Sequence, residues 1–266
     1  MTSIGNQALL NCTAVELLEF PYVLGDGTSS VNGLSKLFGF ANSAVPSTLK
    51  TIVINGGRYI GKFAFSGCSG LTSIEIPNSV TIICDRAFDN CSGLTSIEIQ
   101  NSVTSIDSRA FGCIGLTSIE VEEGNTAYNS GNGSNCIIET ATNTLIKGCN
   151  TTTIPNSVTS IERYAFYSCS GLTSITIGNS VTSIGLSAFS NCLKLTSVTF
   201  ANTSGWFYAS SSTATSGTDL SPESLANTST AASYLKTTYS RYYWNRTEAS
   251  GESASPASYF NMTGTT

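Results

Sequence analysis

Histidine is missing from all 266 residues. Its absence removes Ser-His-Asp and Cys-His activation of a nucleophile, the commonest general base, and every metal site built on an imidazole. Charge is scarce as well: 11% of residues are Asp, Glu, Lys or Arg, and the net charge is −5. A phosphate backbone is held by a surplus of Lys and Arg, so this balance argues against nucleic acid as a partner. No apolar run approaches the roughly 20 residues needed to cross a bilayer, and we expect no membrane span. Met1-Thr2-Ser3-Ile4-Gly5 lacks the charged and apolar regions of a signal peptide, so we expect the sequence to begin inside a longer chain. Nine cysteines are present, but no Cys-x-x-Cys pair of the kind used by zinc and redox sites. With 40% hydrophobic residues there is material for a core, in one or two ordinary domains or in one repeat array.

Self-similarity decides for the array. Leu71-Thr72-Ser73-Ile74-Glu75-Ile76 recurs at Leu94 to Ile99, Leu116 to Val121, Leu172 to Ile177 and Leu195 to Phe200, with 23 residues from Leu71 to Leu94 and again from Leu172 to Leu195. A second block runs between these segments: Val80, Ala87-Phe88 and Cys91 return as Val103, Ala110-Phe111 and Cys113, as Val158, Ala165-Phe166 and Cys169, and as Val181, Ala188-Phe189 and Cys192. One alternating strand per 20 to 29 residues is the sequence signature of a leucine-rich-repeat solenoid. Weaker copies at Ile4 to Cys12, Val15 to Phe20, Leu49 to Ile54 and Cys149 to Ile154 bring the expected number of 22–23-residue rungs to about eight, over residues 1–200. The expected architecture is parallel strands on one face with short helical turns opposite. Burying one rung's apolar side chains gains on the order of 10 kcal/mol, less than the cost of ordering about 23 residues. A rung therefore folds only when stacked on its neighbours.

Two surpluses break the period, each just after a strand. They predict long inserted loops at 21–48 and 122–148, the second holding a hairpin of Cys136 to Glu139 and Thr144 to Lys147. After Ala201 the repeat stops. Trp206-Phe207-Tyr208 predicts a strand and Thr230 to Trp244 a helix, so 201–250 is expected to cap the open last rung, followed by a flexible tail at 251–266.

Cys-Ser-Gly-Leu-Thr-Ser-Ile-x-Ile-Pro-Asn-Ser-Val-Thr-Ser-Ile, with Ala-Phe-x-x-Cys closing the turn, resembles the BspA-like leucine-rich repeats over roughly residues 1–200. The resemblance implies a surface-exposed or secreted bacterial protein, of which some act as adhesins for host proteins, and implies no shared catalytic residues. The chain departs from the pattern at Cys113, which arrives one residue early, at Gln100 and Gly178, which replace the loop Pro, and at Cys84.

The candidate ligand-binding residues lie on the strands. Alternation sends Leu71, Ile74 and Ile76 inward and leaves Ser73 and Glu75 outside. Repeated along the rungs, this gives a column with Glu75, Glu98 and Glu120 in succession and a flat column with Ser73, Ser96 and Ser118. One reading is a solvated consensus copied with each duplication; the other is a shallow groove for a protein partner, with the glutamates as its charged floor. Basic Lys62, Arg86, Arg109 and Arg163 fall in the turn before Ala-Phe, on another face. The cysteine column fits buried thiols better than a disulfide ladder, because parallel side chains about 4.8 Å apart do not present their sulfurs to each other. Cys136 and Cys149 flank the hairpin, which leaves a bond between them open. No catalytic group, metal or cofactor is expected. Adhesion competes with a structural spacer or a self-associating surface-layer component, and with carbohydrate binding by the C-terminal aromatics. An enzyme ranks last, since a glycosidase pair of carboxylates would need a deep cleft that Ser and Thr do not build.

Overall fold

A computed structural model describes residues 7–20, 34–38, 45–112 and 115–247. Period-two alternation of Ile and Leu with Ser, Thr and Glu makes each repeat's first block a half-buried strand. Strands Leu17–Phe20, Thr51–Ile54 and Ser73–Ile74 form one parallel ladder, Ser96–Ile99 with Ser118–Val121 a second, and Ser174–Ile177 with Ser197–Phe200 a third. The register steps by one whole rung: Ser96 faces Ser118, Glu98 faces Glu120, and Ser174 faces Ser197.

Seven of the eight expected rungs carry this strand. At Cys149 to Ile154 the chain turns instead, because the Thr152 hydroxyl accepts the Cys149 N–H at 2.7 Å and the Thr152 N–H returns to the Cys149 carbonyl at 3.3 Å. From Leu71 to Val121 the strands form two ladders rather than one sheet, with no pairing between Ser73–Ile74 and Ser96–Ile99 among the described residues. The side chains at this break repeat those of the paired rungs and do not account for it.

A second parallel ladder runs along the Val-x-x-Ile block: Tyr59–Ile60, Ile82–Ile83 and Ser105–Ile106, then Thr144–Gly148, Ser160–Ile161 and Ser183–Ile184. Beyond it the Ala-Phe segments close each rung. Helical turns were expected there, and the chain makes single turns with i→i+3 bonds, such as Ala64 N–H to Gly61 and Cys68 N–H to Phe65. The reason is the backbone. Phe63, Arg86, Tyr164 and Ser187, just before Ala-Phe, have φ between 54° and 60°, and Gly67, Asn90, Ser168 and Asn191, just before Cys, have φ between 56° and 80°. Left-handed residues at these two places end a helix before it starts. They also aim alternate N–H groups along the array, so Phe63, Phe65 and Gly67 donate to the carbonyls of Asp85, Ala87 and Asp89 in the next rung, as Tyr164, Phe166 and Ser168 do to Leu186, Ala188 and Ser190.

The core is a stack of identical layers. Leu71, Ile74, Ile76, Val80, Ile83, Ala87, Phe88 and Cys91 are all buried, as are most of their described counterparts, with Ile106 and Val121 half-buried. Phe65, Phe88 and Phe111 stack with ring centroids 5.4 and 5.3 Å apart, and Phe166 with Phe189 at 4.7 Å.

Neither insertion is a plain loop. In 21–48 the short helix Ser35–Phe38 takes the place of a rung turn: Leu34 donates to the Ala64 carbonyl, and the Leu37 carbonyl accepts from Leu9. Residues 21–33 and 39–44 of that insertion lie outside the described residues, as does the tail 251–266. In 122–148 the hairpin forms as expected, Cys136–Glu139 antiparallel to Thr144–Gly148, with Tyr128–Asn129 as a third strand. Thr144–Gly148 then pairs with Ser160–Ile161 and rejoins the solenoid.

After the last rung, Trp206–Ala209 forms a strand, and helices Pro222–Ala226 and Thr228–Ser233 pack on Ser197–Phe200. The helix expected over Thr230 to Trp244 continues only through a wide turn at Tyr234–Thr238 and gives way to the strand Tyr243–Arg246. Aromatic residues suit a strand, and this one runs antiparallel to both Ser183–Ile184 and Trp206–Ala209.

Candidate functional site

The strand face presents two columns to solvent. Glu75, Glu98 and Glu120 are exposed, as are Ser73 and Ser96, while Ser118 is half-buried. All six line one open cleft of about 440 Å³, together with Ile74, Ile76, Ile97 and Gln100. The cleft sits over the place where the ladder between Ser73–Ile74 and Ser96–Ile99 is missing, so the break in backbone pairing and the groove coincide. Strand alternation holds each carboxylate: Ile74, Ile97 and Ile119 point into the core beside it, and a one-residue slip would bury every Glu. Glu98 and Glu120 stand opposite each other in the ladder, at a strand spacing of about 4.8 Å. Among the described residues none of the three glutamates forms an ion pair. Their mutual repulsion through water is something under 1 kcal/mol per neighbouring pair.

Gln100 belongs to the cleft and was not picked out as a site residue. Its signal was already in the sequence, since it stands where Leu71-Thr72-Ser73-Ile74-Glu75-Ile76 is followed by Pro77.

The insertion 122–148 lines no part of the cleft. Asn125 pins it to the rung below, donating to the carbonyls of Gln100 at 2.9 Å and Val103 at 3.1 Å, and the Tyr128 hydroxyl accepts the Ile106 N–H at 3.0 Å. Of the basic residues, Lys62 and Arg109 both pair with Asp85, at 3.4 and 2.9 Å, and Arg163 lies 3.8 Å from Glu162.

Among the described residues Cys68, Cys91, Cys169 and Cys192 are buried, while Cys12 is exposed; Cys113 lies outside the described residues. The Cys91 thiol donates to the Phe65 carbonyl at 3.1 Å and the Cys192 thiol to Phe166 at 3.0 Å. A hydrogen bond with Cys68 and burial hold Cys91 far above the usual thiol range. Cys136 and Cys149 are both buried and free. Trp206 and Trp244 are 1% exposed and pack on Phe200, so neither offers a face for stacking a sugar. The two tryptophans are thus out of any carbohydrate-binding surface, while Tyr242 is 40% exposed.

No helix among the described residues is long and apolar enough to cross a membrane. No curated protein matches the chain. Among solved structures it is similar to the pneumococcal vaccine antigen PcpA, at 25% identity over 58% of this chain and 38% of that one, with a TM-score of 0.46. A leucine rich cell surface protein from Faecalibacterium prausnitzii matches at 27% identity over 72% of this chain and 43% of that one, TM-score 0.47. A leucine-rich repeat protein from Bacteroides ovatus matches at 23% identity over 75% and 59%, TM-score 0.40. This chain thus spans well under two thirds of each of these proteins. The BspA type leucine rich repeat region matches residues 40–151 and 146–213 in six copies, more than half of the sequence, and the chain belongs to that family.

Proposed function

We propose that the strand face is the protein-binding groove of a bacterial cell-surface or secreted protein, serving adhesion to host or neighbouring-cell macromolecules without catalysis. The observation that carries this reading is the cleft of about 440 Å³ in which Glu75, Glu98 and Glu120 stand exposed in a row beside Ser73, Ser96 and Ser118. Leucine-rich-repeat solenoids offer extended surfaces of this kind to protein partners. A shallow acidic strip suits an extended, basic segment of a partner; a small molecule is held better by an enclosed pocket.

The test is capture from a panel of extracellular-matrix proteins, followed by kinetics with the captured protein. Glu75→Gln, Glu98→Gln and Glu120→Gln together remove three charges and leave the fold intact, because the side chains point to water. The triple variant is expected to associate more slowly and with a flatter salt dependence. Unchanged kinetics and salt response would remove the groove from consideration. Concentration-dependent self-association without capture of any partner would favour the spacer reading.

A further inference from the structure

On the turn face the repeat breaks at Gly148, and a pocket stands at the break. In each regular rung the N–H of the Ala-Phe phenylalanine donates to the Ala carbonyl of the next rung, and the carbonyl of Phe65 or Phe166 receives a Cys thiol from above. Gly148 does both. Its N–H donates to Ala165 at 3.0 Å, and its carbonyl accepts the Cys169 thiol at 3.6 Å. Gly148 therefore holds a phenylalanine's place in the ladder and brings no ring to it. The stack of Phe65, Phe88 and Phe111 stops there, and resumes at Phe166 and Phe189.

Beside the interruption is a cavity of about 240 Å³, lined by Arg86, Asp89, Arg109, Phe111, Lys147, Tyr164 and Tyr167. Its wall is chemically mixed in a way the regular rungs are not. Lys147 is 1% exposed, with its ammonium donating to the Tyr164 carbonyl at 3.2 Å. Arg109 lies over the Tyr164 ring at 5.7 Å and is held by Asp85, while Arg86 sits over Phe63 at 5.4 Å. Tyr164 and Tyr167 meet edge to face at 5.8 Å. Three cations thus face one carboxylate and three aromatic rings in a chain whose net charge is −5.

We propose that this pocket binds a single carboxylated sugar ring of the kind that ends or branches an acidic glycan. Arg86 and Lys147 take the ligand carboxylate, the planar fork of Arg86 giving two parallel bonds. Asp89 accepts from ring hydroxyls, a role that a pocket for a bare anion has no use for. Tyr164 and Tyr167, both half-buried at the pocket wall, supply flat apolar surface for the C–H face of the ring. The volume is below the roughly 300–1,000 Å³ of pockets for drug-sized ligands, which fits one ring and excludes a length of peptide. The site is separate from the strand-face groove, and the two stand or fall independently.

Saturation-transfer NMR and calorimetry with D-glucuronate, D-glucose, inorganic phosphate and an acidic hexapeptide test it on the full chain. Glucuronate is expected to bind saturably, with transfer to its ring protons, while glucose, phosphate and the peptide do not. Arg86→Gln should weaken glucuronate by about tenfold or more, the scale of a lost charge-assisted hydrogen bond. Tyr167→Ala is the second variant, lies at a half-exposed position, and should weaken the sugar acid as well. The triple Glu→Gln variant of the groove should bind glucuronate unchanged. Phosphate or the peptide binding as tightly as glucuronate, or both pocket variants binding it like the parent, overturns the proposal.

Discussion

Phe63, Arg86, Tyr164 and Ser187 occupy one position of the repeat and share a left-handed backbone, although none of these residue types favours it. Only Asn90, Asn191 and Gly67, at the companion position before Cys, carry that conformation in their chemistry. This is why the buried Leu, Ile, Ala, Phe and Cys of each rung were legible from periodicity while the turn conformation was not: periodicity reports burial, and backbone handedness leaves no periodic mark when Phe, Arg, Tyr and Ser all adopt it. The thiols give a prediction at the same scale. Burial, with the neighbouring Cys149, pushes the Cys136 thiol up to about 12. Its folded value thus exceeds the ordinary thiol value of about 8.5. The stability it contributes is complete below that ordinary value and is lost as pH rises from there through about 12, because only the unfolded chain ionises readily in that window. Mass-mapped alkylation at pH 8 should label exposed Cys12 and spare Cys136, and the denaturation midpoint should fall between pH 8 and pH 11, less steeply in Cys136→Ala. Rapid native labelling of Cys136 would contradict the burial.

Elements were legible where the repeat is regular. The strands at Ser96–Ile99, Ser118–Val121, Ser174–Ile177 and Ser197–Phe200 follow directly from Leu-x-x-Ile-x-Ile, and the hairpin of Cys136–Glu139 and Thr144–Gly148 from its two apolar runs. What escaped was the second use of Thr144–Gly148, as a strand that also carries a rung turn. That depends on which backbone groups meet across 17 residues of chain, as in Lys147 to Tyr164, and no local pattern encodes such a meeting. The six groove residues were likewise legible from alternation, whereas Asp89, Lys147, Tyr164 and Tyr167 come together only because Gly148 leaves a ring out. Gly148 is therefore the position to probe. A β-carbon there would stand 2.2 Å from Phe166 Cε1, and Phe166 cannot retreat because Phe189 is stacked against it at 4.7 Å. Gly148→Ala should cost about 1–3 kcal/mol, the range for overpacking a filled core, read as a lower urea midpoint. A midpoint equal to the parent's would show that the Phe166 layer is loosely packed and would weaken the account of the pocket wall.

A stack of identical layers has no internal reason to stop, so the whole molecule depends on how its last rung is closed. The turn N–H groups of Phe63, Arg86 and Tyr164 donate to the following rung, and at Ser187 the acceptor is the carbonyl of Ser240, at 2.7 Å, outside the repeat. The second ladder ends on Tyr243–Arg246, which pairs antiparallel with Ser183–Ile184 and so finishes the parallel edge. Arg246 reaches back to the Asn179 carbonyl at 2.7 Å, and Lys236 donates to the Leu195 carbonyl at 2.6 Å. Trp206, Trp244, Leu225, Ala231, Ala232 and Leu235 are each 3% exposed or less and lie over the layer of Leu195, Val198 and Phe200. We propose on these grounds that residues 201–247 act as the solenoid's cap. Removing 201–266 would expose an apolar layer and an unpaired strand edge at once, the combination that drives edge-to-edge association. Light scattering over rising concentration should show the truncated chain self-associating where the full chain does not. Introducing a charge at the bared layer with Val198→Lys should reduce that association, since an edge is blunted by an inward-pointing lysine. A truncation that remains monomeric and melts at the parent's temperature would mean that the array closes itself, and that the aromatic segment serves something other than the end of the stack.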